Sequence, residues 1–422
     1  MVAAAALLSA GCSASYWPSA SPVIGPGSPA DQPSQRSSPV TAVQSPAAVA
    51  TPLATPAMTA APAASATLQH WGSFFGNTNG NVDTLASPVN VTLPGAVAEI
   101  GTSNSTEYAL LTDGSLYAWG LGTQGELGDG SVENSFSTPV QVRFPAGVKI
   151  ASIPTDAMPY DTGLAVDTSG NVWGWGNNGG GELCLGNKQL YTTLVQLPLS
   201  HVTAVAGAST HALYDADGTV YACGQNLDGD LGDGSWHDSS TPAAVSGLSG
   251  LPVVKLVAAF ANSGALLANG KYFDWGYDGA GQLGDGNAGH SANVPVRVRL
   301  RAGVSQVAQG GSIWNNGQTL VMLTDGSLWS WGNNRAGQLG NGNRTRALLP
   351  VRFHAPAGVT YQGLATGSAT SYAVSGNGSV YAWGVSYEGQ LGDGYLSAAL
   401  TPVRIASGAT AISSTANNVL IK

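Results

Sequence analysis

Charge is scarce in this chain of 422 residues. Lys and Arg together number 15 and Asp and Glu 24, so charged side chains make up 9 % and the formal net charge is −9. A protein that grips phosphate backbones or an anionic membrane surface needs a basic footprint, and this balance argues against both. Long apolar runs are lacking too: no stretch approaches the roughly 20 residues that a helix needs to cross a bilayer. Cysteine is down to three residues, Cys12, Cys184 and Cys223. Glycine, in contrast, reaches 58 residues. With so few charges, solubility must rest on Asn, Ser, Thr and Gln, as is usual for turn-rich β proteins. The length alone suggests two or three domains, although large all-β architectures often run as one.

The first twelve residues, MVAAAALLSAGC, form a short apolar run ending in small residues and a cysteine. The run resembles the end of a bacterial lipoprotein signal, with Cys12 as the acylated residue. It departs from that pattern in having no Lys or Arg before the run and Ser9 where Leu is commoner. Lipid on Cys12 would anchor by burying acyl methylenes, the only membrane contact expected. Residues 13–67 are dominated by Pro, Ala, Ser and Thr and cannot bury enough apolar surface to offset the entropy of ordering. They are expected to form a disordered, extended tether that holds residues 68–422 away from a cell envelope.

Residues 68–422 carry an internal repeat. Its units align on a Trp-Gly pair, with anchors at Trp71, Trp119, Trp175, Cys223, Trp275, Trp331 and Trp383, spaced by 48 to 56 residues. A period near fifty accommodates four short strands and their turns, which matches a propeller blade better than a helical array. Strand A is rich in Ala and Gly (VKIASI, VTAVAGA, VSQVAQG), as crowding around a central channel requires. Strand B (YALLT, TLVMLT) leads to turns such as Asp113-Gly114, Asp217-Gly218 and Asp325-Gly326, which supply positive φ. Strand C (LYAWG, VWGWG, LWSWG) turns its Trp toward a neighbouring blade. GQLGDG then bends the chain, and TPV, VPV or LPV marks strand D as an edge, because Pro cannot donate to a ladder.

The ends test this reading. The last fourteen residues, ATAISSTANNVLIK, contain only strands A and B, whereas LQHWG opens with strand C and reaches strand D at SPVNV. Joined, they complete a seventh blade and remove the open edge of a partial ring. The expected fold is an all-β, seven-bladed β-propeller of four-stranded blades.

The segments 112–120, 324–332 and 375–384, followed by GELGDG, GQLGNG and GQLGDG and closed by TPV or LPV, resemble the regulator of chromosome condensation repeat family. The resemblance covers nearly all of 68–422 and implies seven blades. It says little about function, because one fold hosts many activities. The eukaryotic founder exchanges nucleotide on a small GTPase and sits on chromatin. This chain has Arg36 as the only basic residue of its N-terminal segment and no long insertion between blades to wedge a GTPase. Bacterial relatives include a secreted β-lactamase inhibitor that grips its target with the loops of one rim, and the export signal favours that comparison.

In a four-stranded meander the A–B and C–D loops share one face and the B–C and D–A turns the other. The first set carries Phe74, Phe75, Tyr160, Trp236, His237, Phe260, Tyr277, Trp314, Tyr387 and Tyr395; the second is small and polar (TDGS, TSGN, ADGT). Aromatic side chains anchor interfaces at low entropic cost, so this rim is the expected binding face for a protein partner, with a glycan as the alternative. Several of these aromatics are equally expected to fold back into blade junctions. No catalytic constellation is present. Asp228, Asp230, Asp233 and Asp238 near His237 suggest a cation loop, but GDLGDG aligns with GQLGDG, so Asp233 reads as turn chemistry. The histidines at 70, 201, 211, 237, 290 and 354 lack metal-ligand spacing, and no metal or cofactor is expected. Cys223, in the Trp position, reads as a buried thiol; pairing with Cys184 is open in an oxidising compartment but disfavoured, because one lies in a C–D loop and the other in a strand. The expected protein is a monomeric, non-enzymatic binding propeller outside the cytoplasm. An enzyme regulator of inhibitor or GTPase-exchange type, or a structural surface repeat, is the alternative.

Overall fold

A computed structural model describes residues 65–74, 83–311, 317–416 and 418–422. The expectations for Cys12 and the signal, for the tether up to residue 64, and for Phe75 and Trp314 lie outside them. Seven four-stranded antiparallel sheets form the described part, an all-β seven-bladed propeller. Blade 1 shows the plan: strand A is Val97–Thr102, B is Thr106–Leu111, C is Leu116–Gly120 and D is Ser135–Gln141, and blades 2 to 6 follow in chain order over 150–196, 202–244, 253–297, 304–353 and 361–406. Strand B is buried throughout, whereas strand D is half-buried to exposed. Solvent along one side of D is what permits Pro139 there.

The B–C hairpins supply the expected positive φ through their glycines. Only the glycine takes positive φ in five of them, +85° at Gly114 for example; Asp217-Gly218 alone has both residues positive. In four of the others the residue before the glycine works through its side chain, as where Asp113 Oδ1 accepts from the Ser115 amide at 2.9 Å.

Ring closure follows the sequence reading. Strand C of blade 7, Ala66–Phe74, pairs with Asn418–Ile421, placing Gln69 opposite Ile421 and Trp71 opposite Val419. The strand begins at Ala66, two residues before the expected boundary at 68, because it continues its pairing with Asp83–Leu93.

The tryptophan of each Trp-Gly pair, at 71, 119, 175, 275, 331 and 383, is fully buried. In five of the six the indole N–H donates across the seam to a carbonyl in the C–D loop of the preceding blade. The pairs are Trp175 to Glu126, Trp275 to Asp230 and Trp331 to Gln282 at 2.8 Å, and Trp383 to Gln338 and Trp71 to Gln390 at 2.9 Å. The glycine two residues after each of these carbonyls lies under the indole; a Cβ on Gly128 would come within 2.9 Å of Trp175 Nε1, and its φ is +64°. Trp119 Nε1 has no partner among the described residues.

The junction between blades 2 and 3 corrects the cysteine reading. Cys184 and Cys223 form a disulfide with Cα atoms 5.4 Å apart. The expectation failed because each C–D loop overlies strand C of the next blade, so residues distant in the repeat are neighbours in space.

Blade 2 departs from the plan in a second way. Its strand A is only Ile150–Ser152, where VKIASI had suggested a full strand. Residues 153–161 leave the sheet and run across the channel. Met158 N donates to Thr102 O of blade 1 at 3.0 Å, and Ser103 Oγ donates to Pro159 O at 2.8 Å. Asp156 meets Lys255 of blade 4 at 2.8 Å. Pro154 and Pro159 lack the amides that a continuous strand would use. Gly101 admits the segment, since a Cβ there would lie 2.5 Å from Pro154 O.

Candidate binding face

The C–D loops are held by a polar scaffold repeated from blade to blade. In blade 3, Asn226 Oδ1 accepts the Leu231 amide while its Nδ2 donates to Ser235 O and His237 O. Asn334 repeats this in blade 5 with Leu339, Asn343 and Thr345. Asp233 Oδ1 accepts the Ser235 amide at 2.8 Å, so it serves the turn, as read. Asp238 accepts from the Asn226 amide and pairs with Lys188 at 2.9 Å, so it too is spent on the loops.

Beside the seam carbonyls sit the side chains of Glu126, Glu182 and Asp230 in blades 1 to 3 and Gln282, Gln338 and Gln390 in blades 4 to 6, all buried. The glutamines and glutamates do the same work: Gln282 Oε1 accepts the Ala280 amide and Glu126 Oε2 the Gln124 amide, both at 2.7 Å. Burial, the largest influence, pushes the carboxyls of Glu126 and Glu182 up to about 7 and that of Asp230 up to about 8, with Asp228 adding repulsion at the last. His211, in strand B, is pushed down to about 4 by burial and bonds Ser263 Oγ at 3.0 Å. His70, in strand C, meets Glu107 across the closing seam at 2.8 Å.

The expected rim residues divide. Trp236, Tyr387 and Tyr395 are 46, 68 and 70 % exposed, and His237 is exposed beside Trp236. Tyr160, Phe260 and Tyr277 are partly covered. Tyr160 lies near the end of the channel-crossing segment, and its hydroxyl is buried without a partner among the described residues. Tyr277 folds back over Gly279, whose missing Cβ would lie 2.0 Å from its hydroxyl. Phe74 ends strand C opposite Asp83. The exposed members lie on blades 3 and 6, as two patches.

Sequence reasoning missed aliphatic members of both patches. Leu227 of blade 3 and Leu396 of blade 6 are 69 and 55 % exposed. Leu227 holds the register position of Tyr387, and Leu396 that of Trp236, so counting apolar residues by loop position would have found them. Three exposed arginines, Arg335, Arg344 and Arg346, lie on blade 5 between blade 4 and the blade 6 patch. Two of their guanidiniums bond carbonyls, Arg344 to Arg335 O and Arg346 to Gly279 O.

Comparison with known proteins agrees with this geometry. The profile of the regulator of chromosome condensation (RCC1) repeat matches residues 113–154, 217–265, 325–374 and 377–416. The ultraviolet-B receptor UVR8 of Arabidopsis thaliana is 29 % identical over 286 residues, 66 % of this chain and 62 % of the receptor. The E3 ubiquitin-protein ligase HERC2 of Homo sapiens is 29 % identical over 289 residues, 67 % of this chain and 6 % of the ligase. The chain thus spans less than two thirds of either relative. Among solved structures, human WBSCR16 superposes with a TM-score of 0.71 at 19 % identity, covering 84 % of this chain and 98 % of that one. Prp20p of Saccharomyces cerevisiae gives 0.71 at 22 %, covering 84 and 90 %. By its four matched repeats and its ring of seven sheets, the chain is a regulator of chromosome condensation (RCC1)-like β-propeller.

Proposed function

We propose that this chain is a non-enzymatic protein-binding propeller, tethered outside the cytoplasm through a lipid on Cys12, that docks its partner on the face of the C–D loops. One observation carries the reading. Of the twelve exposed large apolar residues described, seven (Val132, Leu190, Leu227, Trp236, Tyr387, Tyr395 and Leu396) lie in those loops. Exposed apolar side chains cost solubility and gain nothing for a ring already packed, so their concentration on one face fits a surface that is covered in use. The arginines of blade 5 add direction: a partner that buries Tyr387 and Tyr395 and brings carboxylates alongside is favoured in a chain whose overall charge is −9.

A second reading, regulation of an enzyme through the same face, is supported by the yeast neighbour Prp20p, whose described binding is to Gsp1p and histones. The two readings part at the assay, since a regulator changes its partner's turnover.

The test is retention of partner by the immobilised full chain from envelope extract. Tyr387→Ala with Tyr395→Ala is expected to lower retention at least tenfold, while Lys271→Ala on the opposite face leaves it unchanged. Equal retention by both variants would overturn the assignment of this face.

A further inference from the structure

The covalent link between blades 2 and 3 occupies a place that five other seams fill without covalency. At those seams the loop glycine lies beneath the next tryptophan. A Cβ on Gly232 would meet Trp275 Nε1 at 2.6 Å and one on Gly340 would meet Trp383 Nε1 at 2.7 Å, and φ is +62° to +69° throughout. Space and backbone both demand glycine. At the seam between blades 2 and 3 the two positions change together. Cys184 stands where the glycine belongs, with φ +59°, and Cys223 stands where the tryptophan belongs. Neither change suits the ring alone: an indole at 223 would collide with the Cβ of Cys184, and a thiol at 223 opposite glycine would leave a void. The carbonyl that the indole would have served is also provided for. Glu182 O accepts instead from Tyr214 OH, on strand B of blade 3, at 2.8 Å.

We infer that the Cys184–Cys223 disulfide replaces the indole clamp at this one seam, so that the propeller reaches its full stability only where thiols are oxidised. Both cysteines are buried, at 1 and 0 % exposure, among Leu164, Leu183 and Tyr214. A reductant therefore reaches the sulfurs only when the seam opens. A dithiol then gives two electrons and two protons: the S–S bond breaks, two S–H bonds form, and the dithiol closes to its own disulfide. What remains is a seam with neither bond nor indole. Such a fold belongs in an extracytoplasmic compartment, where disulfides persist. This argument for location is independent of the N-terminal signal and of the exposed loop residues.

The experiment compares melting temperatures of the full chain refolded from denaturant with and without dithiothreitol. Wild type is expected to melt roughly 5–10 °C lower when refolded in the dithiol. Cys184→Ser is expected to match the reduced wild type under both conditions. The double variant Cys184→Gly with Cys223→Trp, which installs the pair used at the other seams, is expected to melt close to the oxidised wild type and to ignore the dithiol. A wild type whose melting does not respond to reduction, a Cys184→Ser chain as stable as the oxidised protein, or a double variant that fails to fold would each overturn the inference.

Discussion

Trp71, Trp175, Trp275, Trp331 and Trp383 make one bond to one loop position at 2.8 to 2.9 Å, five times over. A few residues before those carbonyls, a single register position of the C–D loop holds Thr123, Gly179, Leu227, Gly279, Arg335 and Tyr387 in the six blades from 1 to 6. The seams repeat because each must satisfy the same buried donor and fill the same volume. The loop position answers to no such demand, so its chemistry is free to be fitted to something outside the ring. In a repeat protein, departure from the repeat is therefore where recognition is to be sought, provided the departing residue is exposed.

The strongest way to break this contrast is to cut a seam. Trp331→Ala removes a fully buried indole that also contacts the Tyr272 ring and leaves Gln282 O without its donor. A loss of about 3–5 kcal/mol is expected, read as a lower urea midpoint.

An effect that pH reads separates the two halves of the ring. Glu126, Glu182 and Asp230 sit where the later blades use glutamine, and their carboxyls are raised to about 7, 7 and 8. A raised carboxyl keeps its proton in the folded state after the unfolded chain has shed it. Stability is thus full below the ordinary carboxyl range, about pH 4, and falls as pH rises through 7 to 8. Wild type should lose melting temperature between pH 5 and 8.5, and the combined Glu126→Gln, Glu182→Gln and Asp230→Asn variant should flatten that slope. A slope the variant retains would place its cause elsewhere.

The smallest effect is the most telling for the loops. Tyr387→Ala is expected to change stability by less than about 0.5 kcal/mol, because a side chain 68 % exposed gives the fold little. A larger loss in chemical denaturation would return Tyr387 to the seams.

The ring was legible in sequence because spacing is local information. Trp-Gly pairs, turn dipeptides and strand-D prolines each recur within one unit, and the split blade follows from which strands the two termini carry. The disulfide was not legible, because it requires knowing that the loop of one blade covers strand C of the next. Aligning Cys184 with Gly128 and Cys223 with Trp175 holds the signal, but only once those two residues are known to touch. The channel-crossing segment was half visible in Pro154 and Pro159. Of the candidate face, exposure could not be read from residue type. Tyr277 and Tyr387 occupy similar loops, yet Gly279 lets the first lie down, while Leu227 and Leu396 escaped a search confined to aromatics.

The shared seventh blade sets a clock on biosynthesis. Gln69 pairs with Ile421, 352 positions later, and at about 5–20 residues per second a ribosome needs roughly 20–70 s to deliver that partner. Throughout that interval Ala66–Phe74 lacks its inner neighbour and Trp71 lacks the loop that will cover it. Newly made chains thus pass through a long window in which chaperones, or strands of other nascent copies, compete for that vacant edge.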